Sequence, residues 1–586
     1  MYIEKINNPT DLKRLSLNEL KTLSSEIRKI LLNKLSIHGG HVGPNLGMVE
    51  TTIALHYIFN SPVDKIVYDV SHQSYTHKIL TGRKDGFINP DDFDAVSGYT
   101  NIKESEHDFF NVGHTSTSVS LALGLAKARD VKEEKGNVIA VIGDGSLSGG
   151  EAYEGLNNAS EQGSNFIIVV NDNDMSIAEN HGGLYSNLKE LRETEGKCPN
   201  NFFKALGLDY LFVKDGNDLE SLIEAFAKVK DSSKPVVVHI VTLKGKGYKP
   251  AETNKEEYHW KMPFSLSTGK SDIDFGDWID YGNLSADFLL SEMNENKNIV
   301  AITSGTPAVM GFSKSKREAA GKQFVDVGIA EEHAVAFASG MAANGATPVY
   351  GVYSTFIQRC YDQLSQDLCI NNNPIVMPVF MGGFRGMNDM THLGFFDIPL
   401  ISNIPNMVYL APTCVEEYIS MLTWGINQKS HPVAIRVPDG SCGYSNEIFE
   451  QDYSNLNKYK KVNEGKDIAI IALGSMFNHG KNLQSQISKE LNINATLINP
   501  RFITGIDKDM LNELKFDHQL VVTLEDGVLD GGFGEKISRF YGDTDVKTIN
   551  YGLKKEFADR FDEEELMKEN RLTIPQIIDD IKRTII

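Results

Sequence analysis

The chain has 586 residues, 41% of them hydrophobic, and a formal net charge of −21. At roughly 100–200 residues per domain this length allows three or four domains. The acidic balance without a basic stripe argues against nucleic acid as a partner, and no run reaches the ~18 apolar residues that a membrane span needs.

The opening Met1–Lys5 lacks the apolar core of a signal peptide. Cys198, Cys360, Cys369, Cys414 and Cys442 are dispersed with no CxxC pair, so neither a zinc site nor a disulfide framework is indicated. The expectation is a reduced, cytoplasmic protein.

In chain order, Val138–Ile142, Phe166–Val170 and Val236–Ile240 read as buried strands, with an amphipathic helix over Glu151–Gln162. Strands alternating with helices predict a parallel sheet covered on both faces. The alternation pauses in the polar stretch Lys261–Trp278, where a linker is expected. It resumes with strands near Thr347–Tyr353, Pro374–Val379, Met407–Leu410 and Pro432–Val437. A second polar stretch, Gly440–Gly465, precedes Asp467–Leu473, Ala495–Ile498 and Leu520–Leu524. The fold class predicted is α/β, three consecutive domains with mainly parallel sheets, bounded at 1–275, 276–445 and 455–586.

The turn Gly143-Asp144-Gly145-Ser146 directly follows the first of these strands. Glycines there let backbone approach a phosphate, and a following helix start favours negative charge. Asp144 is a hard oxygen ligand suited to Mg²⁺, which takes one or two protein oxygens besides phosphate and water. The next strand ends in Asn171-Asp172-Asn173-Asp174-Met175, and adjacent parallel strands deliver both loops to one carboxyl edge. Taken alone, the glycine turn is equally compatible with an ordinary tight turn.

The run GDGSLSGGEAYEGLNNASEQGSNFIIVVNDNDMSIAEN resembles the 1-deoxyxylulose-5-phosphate synthase family of the transketolase superfamily. YDVSHQSYTHKILTGRKD, NVGHTSTSVS, LKGKGYKPAE, DVGIAEEHAVAFASGMA and YSTFIQRCYDQ resemble its further blocks in the same order. The resemblance spans nearly the whole chain. It implies a transketolase-like fold and a homodimer. It implies thiamine diphosphate and Mg²⁺ as cofactors, and a transferase that condenses decarboxylated pyruvate with an aldehyde.

The same resemblance assigns the cofactor-activating carboxylate to Glu331, which otherwise reads as half of a solvated acidic pair with Glu332 at a helix start. Phe356 resembles the aromatic residue stacked on the cofactor's pyrimidine and Ile177 the apolar wedge that bends it. The metal ligands implied are Asp144, Asn173 and Met175. Cofactor binding is further assigned to Gly145, Ser146, Gly113, His114, Thr115 and His72, with Lys246 and Tyr248 expected to close over the diphosphate. His41 and His72 are placed near the donor carbonyl and His392 nearer the acceptor, as imidazoles able to relay protons near neutral pH. His259 reads equally well as a surface residue. Tyr353 and Arg359 match positions that contact donor or acceptor, and a guanidinium fork suits a carboxylate.

The sequence departs from the family where two arginines grip the acceptor phosphate, since Met381 and Asp439 stand there, and Asn388 stands for an acid. Arg385 is the nearby candidate anchor. These changes leave open an acceptor that is differently placed or unphosphorylated, and a transketolase-type ketol transfer is the other alternative. The segment after Asn180 is also shorter than in the family.

Overall fold

The computed structural model describes residues 1–445 and 447–585, which divide into two compact units: 1–274 with 328–330, and 275–327 with 331–586.

The first unit is built on five strands: β1 (Lys65–Tyr68), β2 (Val138–Gly143), β3 (Phe166–Asp172), β4 (Asp209–Val213) and β5 (Pro235–Val241). They are all parallel, in the order β1-β2-β3-β5-β4. The central strands are apolar over most of their length because both faces are covered, the exceptions being Asn171 and Asp172 at the end of β3 and His239 in β5. Ile139, Val141, Ile167 and Val169 point into one core, with Leu20, Leu23 and Ile27 of the long helix Leu17–His38. Ala140, Ile142, Ile168 and Val170 point into the other, with Ala122 and Leu156 from the helices Ser118–Val131 and Gly150–Ala159. The register pairs Gly143 with Asn171, so the loops leaving β2 and β3 start level with each other.

The second unit holds two sheets. One contains β6 (Ile299–Thr303), β7 (Phe324–Asp326), β8 (Thr347–Tyr350), β9 (Val352–Tyr353), β10 (Val376–Phe380), β11 (Val408–Leu410) and β12 (Val433–Arg436). It is parallel, in the order β11-β12-β10-β8-β6-β7, with β9 beside β10. The other has the order β13-β15-β14-β16-β17, from β13 (Lys460–Asn463), β14 (Asp467–Ala472), β15 (Thr496–Asn499), β16 (His518–Val528) and β17 (Lys547–Leu553). Only β13 runs antiparallel.

That strand lies inside Gly440–Gly465, the polar stretch preceding the third set of predicted strands, and no strand is predicted there. Its Lys-Lys-Val-Asn sequence is polar because it lies at the sheet edge and is only half-buried. Buried Arg436, at the end of β12, joins the two sheets. Its Nε donates to Asp397 at 2.8 Å and its Nη1 to Asp526 on β16. Among the described residues no helix is long and apolar enough to cross a membrane.

Candidate active site

In the first unit, the carboxyl ends of β2 and β3 place Asp144 beside the Asn173 loop. Asp144 is buried, and its Oδ2 accepts from Met175 N at 3.1 Å and from Asn180 Nδ2 at 2.8 Å. Burial, with the charge of nearby Asp172 added, pushes its carboxyl up to about 7. Asn173 Oδ1, Asn180 Oδ1 and Ser176 Oγ are buried with no hydrogen-bond partner among the described residues. Such atoms are costly unless something else satisfies them. A hard divalent cation matches a carboxylate flanked by unpaired amide oxygens, and it draws its remaining ligands from phosphate and water. No cage of three His, Cys, Asp or Glu is gathered among the described residues. Gly145 lacks a side chain for a reason: a Cβ there would lie 2.9 Å from Ser176.

The Gly113-His114-Thr115 segment is brought to the same edge. Buried Asp69, just beyond β1, accepts from Ser116 N at 2.8 Å and Ser118 N at 2.9 Å. Ser116 Oγ then donates to Ser146 O at 2.7 Å. Ser116 adopts φ 72°, a left-handed conformation that these bonds hold in place.

His41 and His72 meet edge to face with ring centroids 4.9 Å apart. Asn45, fully buried in the short helix Val42–Gly47, fixes both by donating its Nδ2 to His41 O and His72 O, each at 2.7 Å. His259 completes the group, stacked on His72 at 5.2 Å and 5.6 Å from His41. It is a cluster member rather than a surface residue. Burial, then the charge of Lys244, holds its imidazole well below the ordinary value.

Lys244 reaches this edge, as does Lys255, whose Nζ donates to Asn173 O at 3.2 Å. Lys244 is buried, with Nζ 2.5 Å from Ser176 O and 3.1 Å from His259 Nδ1. Burial brings it down to about 7, while Asp144 opposes that fall. The two residues expected to close over the diphosphate are turned elsewhere. Lys246 Nζ donates to Asn217 O at 3.2 Å. Tyr248 OH donates to Leu266 O at 3.1 Å while its ring packs on Tyr258 and Phe264. Ile177 is half-buried in the loop between Met175 and Asn180.

In the second unit, Glu331 opens the helix Glu331–Ala343 and is 2% exposed. Its Oε2 has no hydrogen-bond partner among the described residues, and Arg359 Nη1 lies 3.5 Å away. Burial raises the carboxyl to about 7 against the pull of Arg359. Arg359 and Phe356 share the short helix Phe356–Cys360. Phe356 contacts Tyr353 at 5.5 Å and His392 at 5.7 Å between ring centroids. Burial lowers His392 to about 4, so it is neutral at ordinary pH, and its Nδ1 lies 2.9 Å from Thr391 Oγ1. Burial also lifts Tyr353 to about 12. The five residues expected in this part of the chain thus lie together.

Met381 is exposed at φ 58°. Arg385 is engaged by two acids: its Nε donates to Glu563 at 2.7 Å, and its Nη1 lies 3.5 Å from Asp439. Asn388 is tied to the backbone, its carbonyl accepting from Arg560 N at 2.7 Å.

Residues 3–197 and 194–242 match the family model described as 1-deoxy-D-xylulose-5-phosphate synthase. Residues 277–443 match the transketolase pyrimidine binding domain, and 457–577 the transketolase C-terminal domain. A protein of Clostridium beijerinckii named 1-deoxy-D-xylulose-5-phosphate synthase is 39% identical over 98% of each chain. One of the same name from Caldanaerobacter subterraneus is 40% identical over 99% of this chain and 98% of its own. One from Clostridium botulinum is 41% identical over 92% of each. The fold and these matches define a transferase of the transketolase type, a class of enzymes that use thiamine diphosphate with a divalent metal ion. Within that class, the chain belongs to the 1-deoxy-D-xylulose-5-phosphate synthase family.

Proposed function

We propose that the protein joins the two-carbon remainder of pyruvate, after loss of CO₂, to the aldehyde carbon of glyceraldehyde 3-phosphate, giving 1-deoxy-D-xylulose 5-phosphate. The full-length similarity to relatives of that name supports this reading over a ketol transfer or an altered acceptor. The observation that carries it at the site is the buried Asp144 flanked by the unpaired oxygens of Asn173 and Asn180. These groups ask for a cation and the anionic ligand that accompanies it.

Residues 1–275 are proposed as the diphosphate- and metal-binding domain, 276–445 as the pyrimidine-binding domain and 455–586 as the C-terminal domain. Asp144, Asn173 and Met175, through its backbone, hold Mg²⁺. Gly113, His114, Thr115, Gly145, Ser146 and Lys244 line the diphosphate. Ile177 presses on the cofactor and Phe356 lies against its ring. When bound, thiamine diphosphate supplies a nucleophilic carbon made available by proton transfer within the cofactor itself. Glu331, already biased towards its protonated form, holds a proton on a ring nitrogen. His41, His72 and His259 donate to the donor oxygen, and Arg359 and Tyr353 orient the carboxylate. His392, neutral and buried, hydrogen-bonds the acceptor. The enzyme is proposed to act as a cytoplasmic homodimer.

The test is titration calorimetry of the purified chain with thiamine diphosphate and Mg²⁺, followed by mass analysis of products. Pyruvate plus glyceraldehyde 3-phosphate is expected to give CO₂ and the deoxyketose phosphate. Turnover of a ketose phosphate donor without pyruvate would overturn the assignment.

A further inference from the structure

We propose that the helix Gly183–Glu193 is a brace that sets the separation of the two loops leaving β2 and β3, with Tyr185 and Arg192 as its positioning residues. The proposal rests on the functional reading above, because those loops carry the expected cation ligands.

The helix is 11 residues long, and Tyr185, Leu188 and Arg192 follow the i, i+3, i+7 spacing that puts them on one face. Leu188 and neighbouring Leu191 are fully buried in the core beneath the sheet, which fixes the helix as a rigid element. Near its start, the Tyr185 hydroxyl lies 3.2 Å from Asp144 O and 3.1 Å from Gly145 O. It therefore grips the backbone of the β2 loop. Near its end, Arg192 Nη1 lies 2.7 Å from both carboxylate oxygens of Asp172, and Nη2 lies 2.6 Å from Asp174 Oδ1. It therefore grips the β3 loop on either side of Asn173.

The Arg192 end is anchored further. Asp172 is fully buried and also accepts from His239 Nε2 at 2.9 Å, whose other nitrogen meets Tyr210 OH at 2.7 Å. Asp174 stands at φ 61°, one residue before the Met175 N–H that reaches Asp144. A non-glycine residue persists there only when its surroundings hold it, and the Arg192 fork with the Asp174 N–H bond to Asp172 at 3.2 Å does so. A guanidinium can bridge two carboxylates in a fixed plane, whereas an ammonium is a single point of charge. One helix thus spans both loops with one side chain each, and neither side chain need touch the cation.

The experiment uses the full-length protein and three variants: Tyr185→Phe, Arg192→Lys and Arg192→Ala. Three quantities are read: the dissociation constant of Mg²⁺ with thiamine diphosphate by calorimetry, the melting temperature without ligand, and KM for Mg²⁺ against kcat at saturating cofactor. Groups that hold metal ligands in place typically alter affinity by about 10–100-fold. Tyr185→Phe and Arg192→Lys are each expected to weaken binding about 10-fold, to raise KM for Mg²⁺ in step, and to leave the ligand-free melt and the saturated kcat close to the parent's. Binding unchanged in both, or a loss of affinity matched by an equal fall in ligand-free stability, overturns the brace. If Arg192→Ala does not fold, the two conservative variants decide the matter. A parent that itself ignores Mg²⁺ and thiamine diphosphate overturns the functional reading and the brace's purpose together. A parent that binds while the variants match it overturns the brace alone.

Discussion

Glu331→Gln is expected to stabilise the ligand-free protein at alkaline pH while removing activity. Glu331 is 2% exposed, and its carboxyl is raised from 4.5 to about 7, burial outweighing Arg359 at 3.5 Å. Between those two pH values the folded chain keeps a proton that the unfolded chain has already lost. Stability therefore falls as pH rises through that window and levels off above it. At about 1.4 kcal/mol for each pH unit between the two values, the cost of Glu331 reaches about 3 kcal/mol at pH 8 and vanishes near pH 4.5. Glutamine copies the neutral carboxyl and titrates nowhere.

The Arg359 guanidinium stays charged across this range in parent and variant alike, so it adds no titration of its own. The pH slope of the difference therefore isolates Glu331. The assay is urea unfolding of parent and variant, without cofactor, at pH 5, 6, 7 and 8. The variant should gain on the parent as pH rises, most steeply between 5 and 7. A difference that is flat with pH, or that grows as pH falls, refutes the reasoning.

Buried His77, paired with Asp108 at 2.8 Å and with His56 at 2.8 Å, is brought from 6.5 to about 4 by burial despite that acid. Unfolded chain gains a proton below pH 6.5 that the folded chain refuses, so stability should fall as pH drops from 6.5 towards 4. Hydrogen exchange over residues 97–112 at pH 7 and pH 5 checks this, with faster exchange at pH 5 after correction for the intrinsic rate. Arg385→Ala is expected to raise KM for glyceraldehyde 3-phosphate about 10-fold, in line with roughly 1.5 kcal/mol for a charge-assisted bond, and to leave unphosphorylated glyceraldehyde unaffected. Glu563→Gln, which leaves Asp439 as the acid beside Arg385, should move the phosphorylated aldehyde the other way in the same steady-state assay. Gly383 has φ 90°, and a Cβ there would overlap the Asp526 carboxylate that pairs with Arg436. Gly383→Ala should cost about 2–3 kcal/mol, and a urea midpoint equal to the parent's would contradict it.

The strands legible in the sequence are those whose local run already states their burial. β2, β3 and β5 each carry an apolar run, Val138–Ile142, Phe166–Val170 and Val236–Val238, because a parallel sheet covers them on both faces. β4, β13 and β17 lie at sheet edges, and their polar or half-buried residues give no such run. β7 is three residues long, too short for any period to show. The same limit applies to the two lysines of Leu243-Lys244-Gly245-Lys246-Gly247, of which the resemblance singles out Lys246. The two lysines are chemically identical and two positions apart, and which one turns inward is set by backbone. Gly245 at φ 85° and Gly247 at φ 88° bend the loop so that Lys244 is buried and Lys246 is left near Asn217.

Asp144 and Glu331 are singled out in the sequence by neighbours that resemble a family's motifs, whereas Glu331 alone reads as half of a solvated acidic pair. Asn45, Asp69 and Tyr185 act on backbone: two carbonyls of His41 and His72, two N–H groups at Ser116 and Ser118, two carbonyls of Asp144 and Gly145. Every residue carries such groups, so nothing in the partner's identity marks the pairing, and most side-chain hydrogen bonds are of this kind. The residues that could be found by type are those meant to meet a ligand. The residues that hold them still have anonymous partners, and only the folded chain identifies them. A substitution that spares the motif and removes Asn45 should therefore loosen His41 and His72 together, although His72 lies 27 positions away in the sequence.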